Sequence, residues 1–179
     1  FSPAEVGAPV VCTDATQELK PEGLRFRVQG VEWLYQAKAY LMLHKPAGVE
    51  CSQKPSAYPS IYTLLPSPLR QRPSKSAVQG VQAVGRLDQD TTGLLLLSDD
   101  GQFIHRMSSP KKHVPKIYRV HAKHEVTAQQ VKRLLAGVVL DDGVKTRPCV
   151  IHVVVDEPGR SVLEITLHEG RNRQIRRMC

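Results

Sequence analysis

Residues 84–101 read VGRLDQDTTGLLLLSDDG, with glycines at 85, 93 and 101 dividing them into short blocks. The block GRLDQDTTG has a polar centre that follows neither the helical nor the strand period, so it is expected to be a loop. The four leucines 94–97 are too few for a helix and are bounded by turn residues, which predicts a fully buried strand. Ser98-Asp99-Asp100-Gly101 ends that strand, and QFIHRMSS behind it predicts a short helix with Ser98 or Asp99 as its N-cap and Pro110 beyond its end.

The pattern to either side is of the same kind. KPEG is a turn, LRFRVQG alternates apolar and basic residues as a half-exposed strand does, and a short strand is expected near Val10–Cys12. AYLMLHKPAG predicts a buried strand emptying into a tight loop. SIYTLLP predicts a turn or two of helix, SPLRQRPSKSAVQG a basic loop, and VQAV a strand. KIYRVHA is expected to be a strand that sets Tyr118 and Val120 on one face. Thr127 and Gln130 form a capping-box pattern for AQQVKRLLA, which Gly137 closes. CVIHVVV and SVLEITLHEG predict a hairpin about the turn DEPGR, with Leu163, Ile165 and Leu167 inward, and GRNRQIRRMC a turn entering a helix. Strands outnumber helices, connections are hairpin-length and βαβ alternation is absent. The predicted class is α+β, with a mixed, mostly antiparallel central sheet flanked by short helices.

Charge narrows the function. The chain of 179 residues carries 25 Lys and Arg against 17 Asp and Glu, a net charge of +8. The basic residues cluster in KKHVPKIYRVHAKH (111–124) and in GRNRQIRRMC (170–179), while the acids gather elsewhere. A segregated basic surface points to a polyanion, nucleic acid above all. No run approaches the roughly 20 apolar residues of a membrane span, and no signal-peptide pattern opens the chain; the expected location is cytoplasmic. Cys12, Cys51, Cys149 and Cys179 have neither zinc-ligand nor disulfide-framework spacing, and are read as reduced thiols.

Four aspartates compete for a chemical role. Asp99 and Asp100 stand at a strand-to-helix corner and read as turn residues. Asp88 and Asp90 lie in a loop at the rim of a rigid strand, where a carboxylate suits either chemistry or an Asx-turn. Asp88-Gln89-Asp90-Thr91-Thr92 also fits the D-x-D-x-T nucleophile motif of magnesium-dependent haloacid-dehalogenase-type phosphohydrolases. That motif needs an apolar parallel strand directly before it, and Gly85-Arg86 interrupts the run after Val84.

Four ordered motifs carry a stronger resemblance. Gly85-Arg86-Leu87-Asp88 with Asp90 to Gly101 resembles the signature of pseudouridine synthases, closest to the bacterial ribosomal-RNA enzymes of the RsuA type. His44-Lys45-Pro46-Ala47-Gly48 resembles their N-K-P-x-G strand end, with His in place of Asn. Lys116-Ile117-Tyr118-Arg119-Val120 resembles K-x-Y-x-V, and Glu169 to Met178 resembles their closing E-G-R-N-R-Q-I-R-R-M.

The resemblance implies the pseudouridine synthase fold and an isomerase that breaks the C1′–N1 bond of a uridine, turns the base over and rejoins it through C5, without metal or cofactor. Asp88 would be the essential carboxylate, through attack at C1′, addition at C6 or removal of the 2′ proton. Tyr118 would pack on the base and is a candidate for taking the C5 proton. Arg176 would pair with Asp88, Ile175 would wall the base, and Arg86 would fill the stack of the flipped-out uridine. Lys45 would touch RNA or support the core. Lys111, Lys112, Lys116, Arg171, Arg173 and Arg177 would grip phosphates, along with the loop around Arg70–Lys75.

The implied partner is structured ribosomal RNA or a ribosomal assembly intermediate, with small-subunit rRNA favoured and the protein expected to be a monomer. The organisation expected is a remnant of an S4-like RNA-binding region with linker over 1–38 and the catalytic domain over 39–179. The latter is expected to lack its C-terminal part, so the chain reads as incomplete. A non-catalytic RNA-binding or ribosome-assembly module on the same scaffold is the alternative.

Overall fold

The computed structural model describes residues 9–14, 16–72, 79–109, 114–157 and 160–179, with backbone alone for 155–157 and 160. The chain divides into two compact units, Phe1–Ile104 and His105–Cys179.

In the first unit, Arg25–Val28 (β1) and Val31–Leu34 (β2) form an antiparallel hairpin. Its two-residue turn has Gln29 at φ 51° and Gly30 at φ 79°, the left-handed pair that matches strand twist. Tyr40–Lys45 (β3), Gln82–Ala83 (β4) and Gly93–Ser98 (β5) form a second antiparallel sheet in the order β3-β5-β4. A 3₁₀ turn at Ile61–Leu64 and the short helix Ser67–Arg70 (α1) lie between β3 and β4 in the chain. Ile61, Val81, Leu95 and Leu97 form the heart of this core, each almost wholly buried; a fully buried side chain of this size contributes about 1.5–3 kcal/mol.

Several expectations change here. The leucine run is buried on one face only: Leu95 and Leu97 are inward, while Leu94 is 63% exposed. Likewise β3 alternates, with Tyr40, Met42 and His44 outward. Both strands belong to a sheet with a single covered face, which a continuous apolar sequence hides. Val10–Cys12 forms no strand, and Val11 is 82% exposed. Part of the expected basic loop is the helix α1, because Pro68 suits a first turn.

Gly101–Ser108 forms the helix α2. In the second unit, Lys116–His121 (β6), Val150–Glu157 (β7) and Arg160–Leu167 (β8) form an antiparallel sheet in the order β6-β8-β7. Leu163, Ile165 and Leu167 are inward as expected, with Cys149 beside them. Ala128–Leu135 (α3) begins with the full Thr127–Gln130 capping box, and Gly137, at φ 86°, follows its end. Gln174–Met178 (α4) sets Ile175 and Met178 against the same core.

The α+β class and antiparallel pairing stand as predicted, although the strands of the described residues fall into three sheets rather than one. No described helix is long and apolar enough to cross a membrane.

Candidate active site

The loop bearing Asp88 is built around a buried cation. Lys45 ends β3 opposite Gly93, the first residue of β5, and its exposure is 0%. Its ammonium donates to the carbonyls of Pro46 (3.0 Å), Gln89 (3.2 Å) and Thr91 (2.8 Å). These three acceptors match its three protons, so the cation is satisfied without water. The Gly48 N–H donates to the Gln89 carbonyl (2.8 Å), and the Thr91 N–H to the Asp88 carbonyl (3.0 Å). Leu87 packs on the core immediately before Asp88. Asp88 is half-buried, while Arg86 and Asp90 are exposed. Of the two roles open to Lys45, this burial favours core support.

At the other end of β5 the aspartates are structural. The Asp100 carboxylate accepts from the N–H groups of Gln102 (3.0 Å) and Phe103 (3.4 Å), so it caps α2 in place of Ser98 or Asp99. It also accepts from Lys38 and from the Tyr40 hydroxyl, each at 2.7 Å. Those two donors hold its carboxyl far below the usual carboxylate range, and the carboxylate in turn raises the Tyr40 phenol. Asp99 accepts from the Ala39 N–H (2.8 Å) and from Arg72 Nε (2.5 Å). Arg72 also donates to the Gln36 carbonyl (2.6 Å), so this member of the expected RNA grip is committed within the protein.

Tyr118, Ile175 and Arg176 belong to the second unit. Tyr118 pairs with Ile165 across β6 and β8, and directly opposed residues point to one face. Ile175 packs against the cluster containing Ile165, so Tyr118 and α4 share a face of this sheet. Arg176 is exposed and Tyr118 is at the edge of exposure.

The expected phosphate ligands differ among themselves. Arg177 is bound to Asp141 and to Asp142, the latter at 2.7 Å, and both carboxylates raise its pKa, Asp142 the more. It ties α4 to the loop after α3. Lys116 is half-buried, its side chain lying against Gly170. Arg171 and Arg173 are exposed. Lys111 and Lys112 lie outside the described residues, as do Pro110 and residues 73–75 of the basic loop. The strand before Asp88 is β4, antiparallel to β5, which removes the parallel-strand setting a D-x-D phosphohydrolase loop requires. Sequence reasoning missed Glu169 and Gln174: both stand in the closing motif, and nothing in their spacing announces that they bond to each other.

The chain belongs to the RNA pseudouridylate synthase family, whose model matches residues 39–179. It is 36% identical over 167 residues to an uncharacterized RNA pseudouridine synthase of Bacillus subtilis, an alignment covering 93% of this chain and 66% of that protein. It is 32% identical over 178 residues to the ribosomal small subunit pseudouridine synthase A of Haemophilus influenzae, covering 99% of this chain and 71% of that one. A crystal structure of a pseudouridylate synthase superposes with a TM-score of 0.63 at 30% identity, covering 92% of this chain and 66% of that chain. The chain thus spans about two thirds of the length of these relatives.

Proposed function

We propose that this chain is the catalytic portion of an RNA pseudouridine synthase that isomerises one uridine in structured ribosomal RNA, with Asp88 as the essential carboxylate. The observation that carries the reading is the loop itself. A buried ammonium, a core leucine and a backbone bond from Gly48 fix the segment holding one half-buried aspartate. Such rigidity is what a carboxylate needs to meet a single carbon of a bound nucleotide.

In this reading the uridine is flipped from the RNA stack, and Arg86, exposed two residues before Asp88, fills the gap. Tyr118 packs on the base, Ile175 walls it, and Arg176 pairs with Asp88 to keep the carboxylate ionised. Lys111, Lys112, Lys116, Arg171 and Arg173 grip the backbone. Residues 1–38 belong, in this reading, to an S4-like RNA-binding region with its linker. The name of the Haemophilus influenzae relative supports small-subunit rRNA as the target. Pseudouridine mapping of total rRNA from cells with and without the gene tests this. One small-subunit pseudouridine should vanish on deletion and return with the wild-type gene; an unchanged map contradicts the proposal.

A further inference from the structure

Helix α4 is five residues long, too short to fix its own direction. Its N-cap residue, Arg173, is left-handed (φ 48°, ψ 31°) and makes no side-chain capping bond. The helix start is held instead by Gln174, which is 4% exposed. The Gln174 carbonyl oxygen accepts from the Arg171 N–H (2.9 Å), and its amide donates to Glu169 Oε1 (2.7 Å). Glu169 Oε1 also accepts from the Arg147 N–H (3.0 Å), and Oε2 stands 3.4 Å from Arg171 Nε. Two side chains therefore join three segments: the approach to β7, the exit from β8 and the first turn of α4.

Gln174 is two residues from Arg176, about 200° around the helix at the helical period. Gln174 and Ile175 face the protein, while Arg176 is exposed. Any rotation at the Gln174 anchor swings the Arg176 guanidinium. We infer that Glu169 and Gln174 are positioning residues that fix the direction in which α4 presents the Arg176 guanidinium. This rests on the pseudouridine synthase reading above and adds to it two residues with no other assigned role.

The test uses Glu169→Gln, Gln174→Glu and the double exchange. Gln174→Glu sets two carboxylates against each other, and such a pair ionises fully only at a cost. Turnover at neutral pH should fall about tenfold to a hundredfold, with KM for a C5-tritiated small-subunit rRNA transcript little changed. It should recover as the pH is lowered and one carboxyl becomes a donor. In the double exchange the two groups trade places: the amide now at position 169 can donate to the carboxylate now at position 174, while its carbonyl still accepts from the Arg147 N–H. That variant should recover most of the lost turnover. The Arg176 Nε–H resonance, assigned by its loss in Arg176→Lys, should move in Gln174→Glu and return in the double exchange. Unchanged turnover and an unmoved resonance in Gln174→Glu would overturn the inference, as would a folded double variant no better than the single one. The resonance decides the role of the pair whether or not tritium is released, so failure of the inference and failure of the isomerase reading are told apart.

Discussion

Lys45 carries the most structural weight of any single side chain near Asp88. Lys45→Met keeps most of the volume and removes three donors at once. The Pro46 and Thr91 carbonyls lose the partners they have, while Gln89 keeps the Gly48 N–H. Pro46 is exposed and Thr91 half-buried, so at roughly 1–3 kcal/mol for a fully buried unsatisfied group the loss should total about 1–2 kcal/mol. It should appear as a lower urea midpoint at unchanged m-value. Asp100 provides a pH test. Its native pKa lies below the ordinary 3.8, so its contribution is complete above that value. As the pH falls further, the unfolded chain binds a proton that the native state refuses, and the contribution is lost. Asp100→Asn should therefore flatten the acid limb of a stability-versus-pH curve. An unchanged limb would show that Lys38 and Tyr40 do not stabilise this carboxylate.

The helix starts and the hairpin turns differ in how plainly they are written. Thr127→Ala removes the hydroxyl half of the α3 capping box, leaving the Thr127 N–H bond to Gln130 Oε1, and should cost about 1 kcal/mol in thermal or urea denaturation. Gly137→Ala should cost more, about 2–3 kcal/mol: the position is left-handed, and an added Cβ would collide with the Thr146 carbonyl. Both features were legible because cap and stop residues act within one turn of their own helix. The β1–β2 hairpin was only half legible, because Gln29 takes a left-handed turn position that Asn or Asp would have signalled. The half-exposed leucine run escaped prediction because covering one face or two is decided by distant segments. The N-cap of α2 moved by one residue for a similar reason: Asp99 is committed to Ala39 and Arg72, leaving Asp100 to cap. The role of Lys45 could not be read from its motif either, since its acceptors are backbone carbonyls that carry no side-chain signature.

Across the whole molecule, the described basic residues differ in exposure. Arg72 and Arg177 lie largely covered against carboxylates, Arg86 and Arg173 are exposed, and Arg171 is exposed while its Nε lies 3.4 Å from Glu169. Association with rRNA should weaken steeply with salt, and Arg173→Ala should reduce the slope of log K against log salt by about one. Arg177→Ala should leave that slope unchanged and lower the thermal midpoint, because its partners Asp141 and Asp142 belong to the fold. Resemblance to the family motifs nominates Asp88 as the essential carboxylate, and the bonds from Lys45 and Gly48 hold the loop segment that carries it. The most direct measurement is tritium release from C5-labelled small-subunit rRNA by Asp88→Asn and Asp88→Ala, with RNA binding measured alongside. The account predicts no release with binding preserved; turnover near the wild-type rate in either variant would contradict it.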